Sequence, residues 1–167
     1  MYRINIMAVA ILIICAALIQ INAFDFIEFF GIKPDLLLVL VIFFALNSFK
    51  QESIKIALIS GLIKDISSSS VLGSYTLAFF IIAFFLNFHQ TKFYRERIST
   101  QGLVAFVSYI AMSFIVLLIN LIAYKSALSY YMFLSIAFKG AVYTAIIAPG
   151  VFFILSKFLR IRLASTL

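Results

Sequence analysis

The chain has 167 residues, of which 65% are hydrophobic and 11% charged, against roughly 45–50% and 25% in a soluble domain. Those proportions exclude a water-soluble globule and leave a helical membrane bundle with no room for a separate extramembrane domain. The net charge of +7 lies in short gaps between apolar runs, which speaks for orientation in a membrane and contact with anionic lipid headgroups rather than for nucleic-acid binding.

A hydrocarbon layer about 30 Å thick takes roughly 20 helical residues. The first uncharged run, residues 4–23, is longer than the apolar core of a secretory signal, and no A-x-A pattern follows it, so it reads as a retained span. Its Cys15 is the single cysteine of the chain and has no partner for a disulfide or a metal cluster. A shorter run at 35–49 follows Lys33-Pro34 and begins with Asp35. The third segment, 53–66, holds Lys55, Gly61, Lys64 and Asp65, and its composition alone fits a span, a re-entrant helix or an interfacial one. Apolar runs at 71–88, 103–124 and 133–156 complete the series, the last interrupted by Lys139.

Charge asymmetry decides the third segment. If it crosses and the N-terminus is inside, the inside collects Arg3, Lys50, Lys55, Lys92, Arg95, Arg97, Lys157, Arg160 and Arg162, while the outside keeps Lys33, Lys64 and Lys125. If it does not cross, everything after it flips and most basic residues fall outside. The sequence therefore predicts one six-helix membrane domain over 1–167 in a bacterial plasma membrane, with both termini cytoplasmic.

Within the third segment Ile54, Leu58, Gly61 and Asp65 recur at helical spacing and are expected to share one face. Gly61 would let a neighbouring backbone approach closely. Asp65 either organises, with Ser67 to Ser70, the turn into the fourth span or serves a binding role, and the two are compatible. Gly73 is then a turn or close-packing glycine. Lys139 lies about 10 Å from the outer end of the sixth span. It is expected to pair with Asp65, to be hydrogen-bonded by Asn120, or to snorkel to the interface by itself.

Catalytic chemistry has no foothold. His89 is the single histidine, so neither a His-based metal site nor a Ser-His-Asp relay can be assembled. No Gly-rich phosphate loop and no carboxylate pair on one helix stands in the sequence. The expectation is a non-enzyme without cofactor or metal. His89, Lys92, Arg95, Glu96 and Arg97 read as an inside anchor, and Tyr2, Tyr94, Tyr124, Tyr130 and Tyr131 fall near span ends as an aromatic belt requires.

Two stretches, KPDLLLVLVIFFAL (Lys33 to Leu46) and GLIKDISSSSVLGSYTLAF (Gly61 to Phe79), resemble the MreD family of rod shape-determining membrane proteins. In that family a basic-Pro-polar opening starts the second span, and a Gly-x-x-x-Asp element, a small polar loop and a Leu-Gly pair link the third and fourth. Here these fall on Lys33-Pro34-Asp35, on Gly61 with Asp65, and on Leu72-Gly73. Elsewhere the match is hydropathy plus Pro149 before a basic tail. Two positions depart from the pattern: Lys64 stands where an apolar residue is usual, and Thr144 where an Asn is expected five residues before the proline.

The resemblance implies a non-enzymatic part of the bacterial cell-elongation complex, which binds the bitopic protein MreC and helps couple MreB filaments to the peptidoglycan synthase made by RodA and its transpeptidase. It also implies a fold similar to the substrate-binding subunits of energy-coupling-factor vitamin transporters. Pro34, Asp35, Gly61, Asp65, Gly73, Asn120, Lys139 and Pro149 are the structural or partner-binding candidates. The alternative is a small-molecule (vitamin) binding transporter subunit, with Asp65, Asn120 and Lys139 lining an outward-facing pocket.

Overall fold

The computed structural model of the chain describes residues 6–22, 33–68, 70–88, 98–124 and 130–164, which form six α-helices: α1 (Ile6–Asn22), α2 (Leu36–Asn47), α3 (Lys50–Ser67), α4 (Ser74–Phe88), α5 (Ile98–Tyr124) and α6 (Tyr130–Ala164). The proposed anchor residues from His89 to Arg97, and Tyr2 and Arg3, lie outside the described residues. Each predicted span has a helix, with boundaries displaced by a few residues.

α2 is the axis of the bundle. It is apolar all round, and Leu37 to Leu46 are buried without exception, the pattern of a helix surrounded by other helices. It touches each of the other five. α5 and α6 contain stretches long and apolar enough to cross a membrane, Ile98–Ala123 and Phe133–Lys157, and shorter apolar helices run over Val9–Gln20, Leu36–Asn47 and Ser74–Phe88.

α3 carries five charged residues, so its placement rests on packing. It forms an antiparallel pair with α4 that is fixed at both ends. At one end Gly61 lies against Thr76; at the other Ser53 Oγ and the Asn87 side chain are hydrogen-bonded, with Asn87 Nδ2 2.8 Å from Ser53 Oγ. Eighteen residues at 1.5 Å each reach about 27 Å. α3 therefore runs the whole length of α4 and cannot lie flat across the end of the bundle.

The same reading orders the other helices. Gln20 near the end of α1 meets Asp35 at the head of α2, and Lys64 near the end of α3 meets Asp35 as well. Asn120 near the end of α5 meets Val71 just before α4. α6 runs parallel to α2, with Thr144 beside Asp35 and the Phe152 ring edge-on to Phe43 at 5.3 Å, at the same residue offset. α5 returns against α6, bringing Gly102 to Ala145 and Tyr109 to Gly140. Successive helices thus alternate in direction, and the start of α1 and the end of α6 lie on one side of the bundle.

The face of α3 that carries Gly61 and Asp65 is buried only in part. Ser53, Ala57, Ser60, Gly61 and Asp65 are buried, Ile54 is half-buried, and Leu58 is exposed together with Ile59, Leu62 and Ile66. In lipid an apolar side chain gains little by turning inward, whereas a small residue gains close packing and a polar one gains partners. Large apolar residues are likewise exposed on α1, α4, α5 and α6, among them Leu18, Phe84, Phe114 and Ile146.

Candidate functional site

The two buried carboxylates of the bundle, Asp35 and Asp65, lie at the end where α3 passes into α4. Gly61 and Asp65 are four residues apart and so share a face, which turns toward the head of α4. A Cβ on Gly61 would lie 2.4 Å from Thr76 Cα and 2.9 Å from Thr76 N, so only glycine admits the neighbouring backbone at this distance. One turn further, the Asp65 carboxylate accepts the backbone N–H of Tyr75 at 2.9 Å, that of Thr76 at 3.0 Å and the Thr76 hydroxyl at 2.5 Å.

The first N–H groups of a helix have no partner within the helix, and a negative charge there is favourable. Asp65 therefore caps α4 from α3. The Gly-x-x-x-Asp element supplies the close approach and the cap together. The chain between them turns through Gly73, whose φ of 93° suits glycine, with no atom near its missing side chain. Gly73 is thus a turn glycine and not a packing one. The Val71 N–H donates to Asn120 Oδ1 at 3.4 Å, and Ser74 Oγ donates to Val71 O at 2.7 Å.

Asp35 is the second centre. It is 1% exposed and caps its own helix by accepting the Leu38 N–H at 3.1 Å. Lys64 of α3 forms an ion pair with its Oδ2, and Gln20 of α1 donates to its Oδ1 at 3.4 Å while accepting the Leu37 N–H. The Asp35 N–H donates to Thr144 Oγ1 of α6 at 3.2 Å. Pro34, also buried, precedes this capping residue. The Lys64 ammonium lies 5.0 Å from the centre of the Tyr75 ring, a cation–π distance. The Asp35 carboxylate so ties α1 and α3 to the head of α2, and its backbone N–H ties α6 there.

Lys64 and Thr144, the two departures from the family pattern, are both partners of Asp35. The pairing expected between Lys139 and Asp65 does not occur. Asp65 is satisfied by Tyr75 and Thr76, while Lys139 is exposed and contacts neither Asp65 nor Asn120. Thr144 is level with Asp35, so Lys139, five residues earlier in α6, stands nearer that end of the bundle, where a lysine can reach an interface along its own stem.

Pro149 lies inside α6. Because proline has no N–H, the carbonyl of Ala145 loses its helical partner. That carbonyl faces Gly102 of α5, where an added Cβ would lie 3.2 Å from it. The proline thus sits where α5 and α6 approach closely.

Beside the Asp35 centre is a cavity of about 310 Å³ lined by Ala17, Gln20, Lys33, Leu37, Lys64, Ser67 and Ser68. Asp65, Asn120 and Lys139, which the transporter-subunit alternative would place around a pocket, are not among its walls. Among the described residues no cluster of three His, Cys, Asp or Glu could hold a metal ion.

Sequence reasoning missed Gln20, Thr76, Ser53 and Asn87. Gln20 and Asn87 could have been found as polar side chains within apolar runs, which need partners in lipid. Thr76 carries no such signal, since its role depends on where α3 ends.

Six helices with buried carboxylates and many exposed large apolar side chains, two of them containing long apolar stretches, are consistent with a helical membrane protein. The sequence profile of the MreD family, described as rod shape-determining protein MreD, matches residues 1–162. The chain belongs to that family, whose members are non-enzymatic membrane proteins, and membership implies a role in rod shape determination. No curated protein and no solved structure matches the chain.

Proposed function

We propose that this protein is a scaffold of the cell-elongation complex, which binds MreC directly in the membrane and helps couple cytoplasmic MreB filaments to the peptidoglycan synthase formed by RodA and its transpeptidase. The family match over residues 1–162 carries the reading. It is supported by the use of the buried carboxylates: Asp35 and Asp65 are engaged in holding helices together, which leaves apolar helix faces as the surfaces for a partner span.

The stripe Phe80, Phe84 and Phe88 on α4 is exposed along one face, with Phe80 and Phe84 stacked at 6.3 Å. It is the surface we assign to the MreC helix, because aromatic side chains dominate contact energetics in protein interfaces. The distribution of Lys and Arg supports cytoplasmic termini. Six alternating helices are in keeping with a fold similar to that of the substrate-binding subunits of energy-coupling-factor transporters.

Co-purification with MreC in mild detergent tests the reading. Full-length protein should retain MreC, and replacing Phe80, Phe84 and Phe88 by alanine should release it while the bundle still melts cooperatively. A purified protein that carries a stoichiometric vitamin and retains no MreC would overturn the scaffold assignment.

A further inference from the structure

α3 packs on α1, α2 and α4, and the side these neighbours leave open carries a regular pattern. Glu52, Lys55, Ile59, Leu62 and Ile66 follow one another at alternating steps of three and four residues, the spacing of a helix–helix seam. Lys55, Ile59, Leu62 and Ile66 are exposed and Glu52 is half-buried. Its apolar part reads Ile, Leu, Ile, with the β-branched residue at the first seam position and leucine at the second, the choice that favours two parallel strands.

The two charges at the start of the seam are unpaired. Glu52 Oε2 is shielded from solvent and has no hydrogen-bond partner. Residues three apart are neighbours on a helix surface, yet the ion pair among the described residues is that of Lys64 with Asp35, and Glu52 and Lys55 form none. Charged side chains on a membrane helix call for partners, and here an acid and a base lie side by side without one.

We propose that this face of α3 is the contact with a second copy of the chain. Two copies inserted in one membrane share an orientation, so a closed pair has its two-fold axis along the membrane normal and brings the α3 helices together in parallel. In such a seam each side chain enters a gap bordered by the other helix's residue at the next seam position. Each copy's Glu52 then meets the other copy's Lys55, twice by symmetry, while Ile59, Leu62 and Ile66 layer against their own counterparts. A lipid headgroup would satisfy the lysine and leave the acid, and an uncharged helix would satisfy neither. A second copy satisfies both. The seam omits Phe80, Phe84 and Phe88, so the inference is independent of the surface assigned to MreC.

The test is disulfide cross-linking of the full-length protein, with Cys15 replaced by alanine, in native membranes oxidised by copper phenanthroline. Leu62→Cys should give a linked species of twice the chain mass. Ile146→Cys, at an exposed position on α6, should give none. In the Leu62→Cys background, Glu52→Lys and Lys55→Glu should each reduce the linked fraction by about fivefold, the effect of one polar contact between membrane helices. The two changes together should restore it, because each copy then offers the reversed order of charges. Absence of a linked species from Leu62→Cys would overturn the proposal, and so would equal linking through Ile146→Cys, the sign of random collision. A linked species of any other mass would overturn it by assigning the face to a different protein. Linking that both single charge changes leave intact, or that their combination fails to restore, would overturn the charge-paired seam.

Discussion

Gly61 and Thr76 bring the backbones of α3 and α4 together so closely that an ideal Cβ at Gly61 would fall 2.4 Å from the Thr76 Cα. Nothing there is a flexible side chain that could swing aside, so the two helices must separate to admit a methyl group. Gly61→Ala should destabilise the bundle by about 1–3 kcal/mol, the range for overpacking a tight interior, and Gly61→Leu by more. Denaturant titration of the protein in mild detergent measures this, and an unchanged midpoint for Gly61→Leu would contradict the close approach.

The cap that follows on the same face makes a separate prediction. Asp65→Ala leaves the Tyr75 and Thr76 N–H groups without their partner, and losing a cap with buried donors costs about 1–3 kcal/mol. Asp65→Asn keeps one acceptor oxygen and should recover part of the loss. Hydrogen exchange at the Tyr75 and Thr76 amides should rise most in Asp65→Ala, less in Asp65→Asn, and stay unchanged in Lys139→Ala.

The Asp35–Lys64 pair should behave as a unit. Removing either partner alone strands a buried charge, typically a loss of about 3–5 kcal/mol. The double change Asp35→Asn with Lys64→Met should cost less than the two single losses added, because neither charge remains to be solvated. Additive losses in the double-mutant cycle would show that the contact contributes no coupling.

Lys139 supplies the contrast. It is exposed and apart from Asp65, so Lys139→Ala should stay within about 0.5 kcal/mol of the wild type. Exchanging the charges, Asp65→Lys with Lys139→Asp, should not restore the abundance lost in Asp65→Lys. Recovery of protein level in the exchanged pair would contradict the separation.

Much of this architecture could be read from the chain, because hydropathy marks where the apolar helices lie. The value of Gly61, Asp65 and Gly73 to the α3–α4 turn was also legible, since glycine and aspartate at helical spacing before a serine loop carry a local geometric meaning. The Asp35 centre was not. Its partners Gln20, Lys64 and Thr144 come from three other helices, and helical spacing within one segment says nothing about which helices become neighbours. The choice among the alternatives for Lys139 was not legible for the same reason: an acid and a base at similar depth need not face each other. Helical spacing placed Leu58 on the face of Gly61 and Asp65 but could not say that Leu58 is exposed while they are buried.

The account depends most on α3 spanning the same thickness as α4. With exposed Cys15 replaced by alanine, single cysteines at Ser67, on the far end of α3, and at Ser99, at the start of α5, can be probed in intact cells with an impermeant maleimide. Ser67→Cys should react from outside at once, and Ser99→Cys only after the membrane is permeabilised. Labelling of both from the same side would contradict the alternating six-helix arrangement.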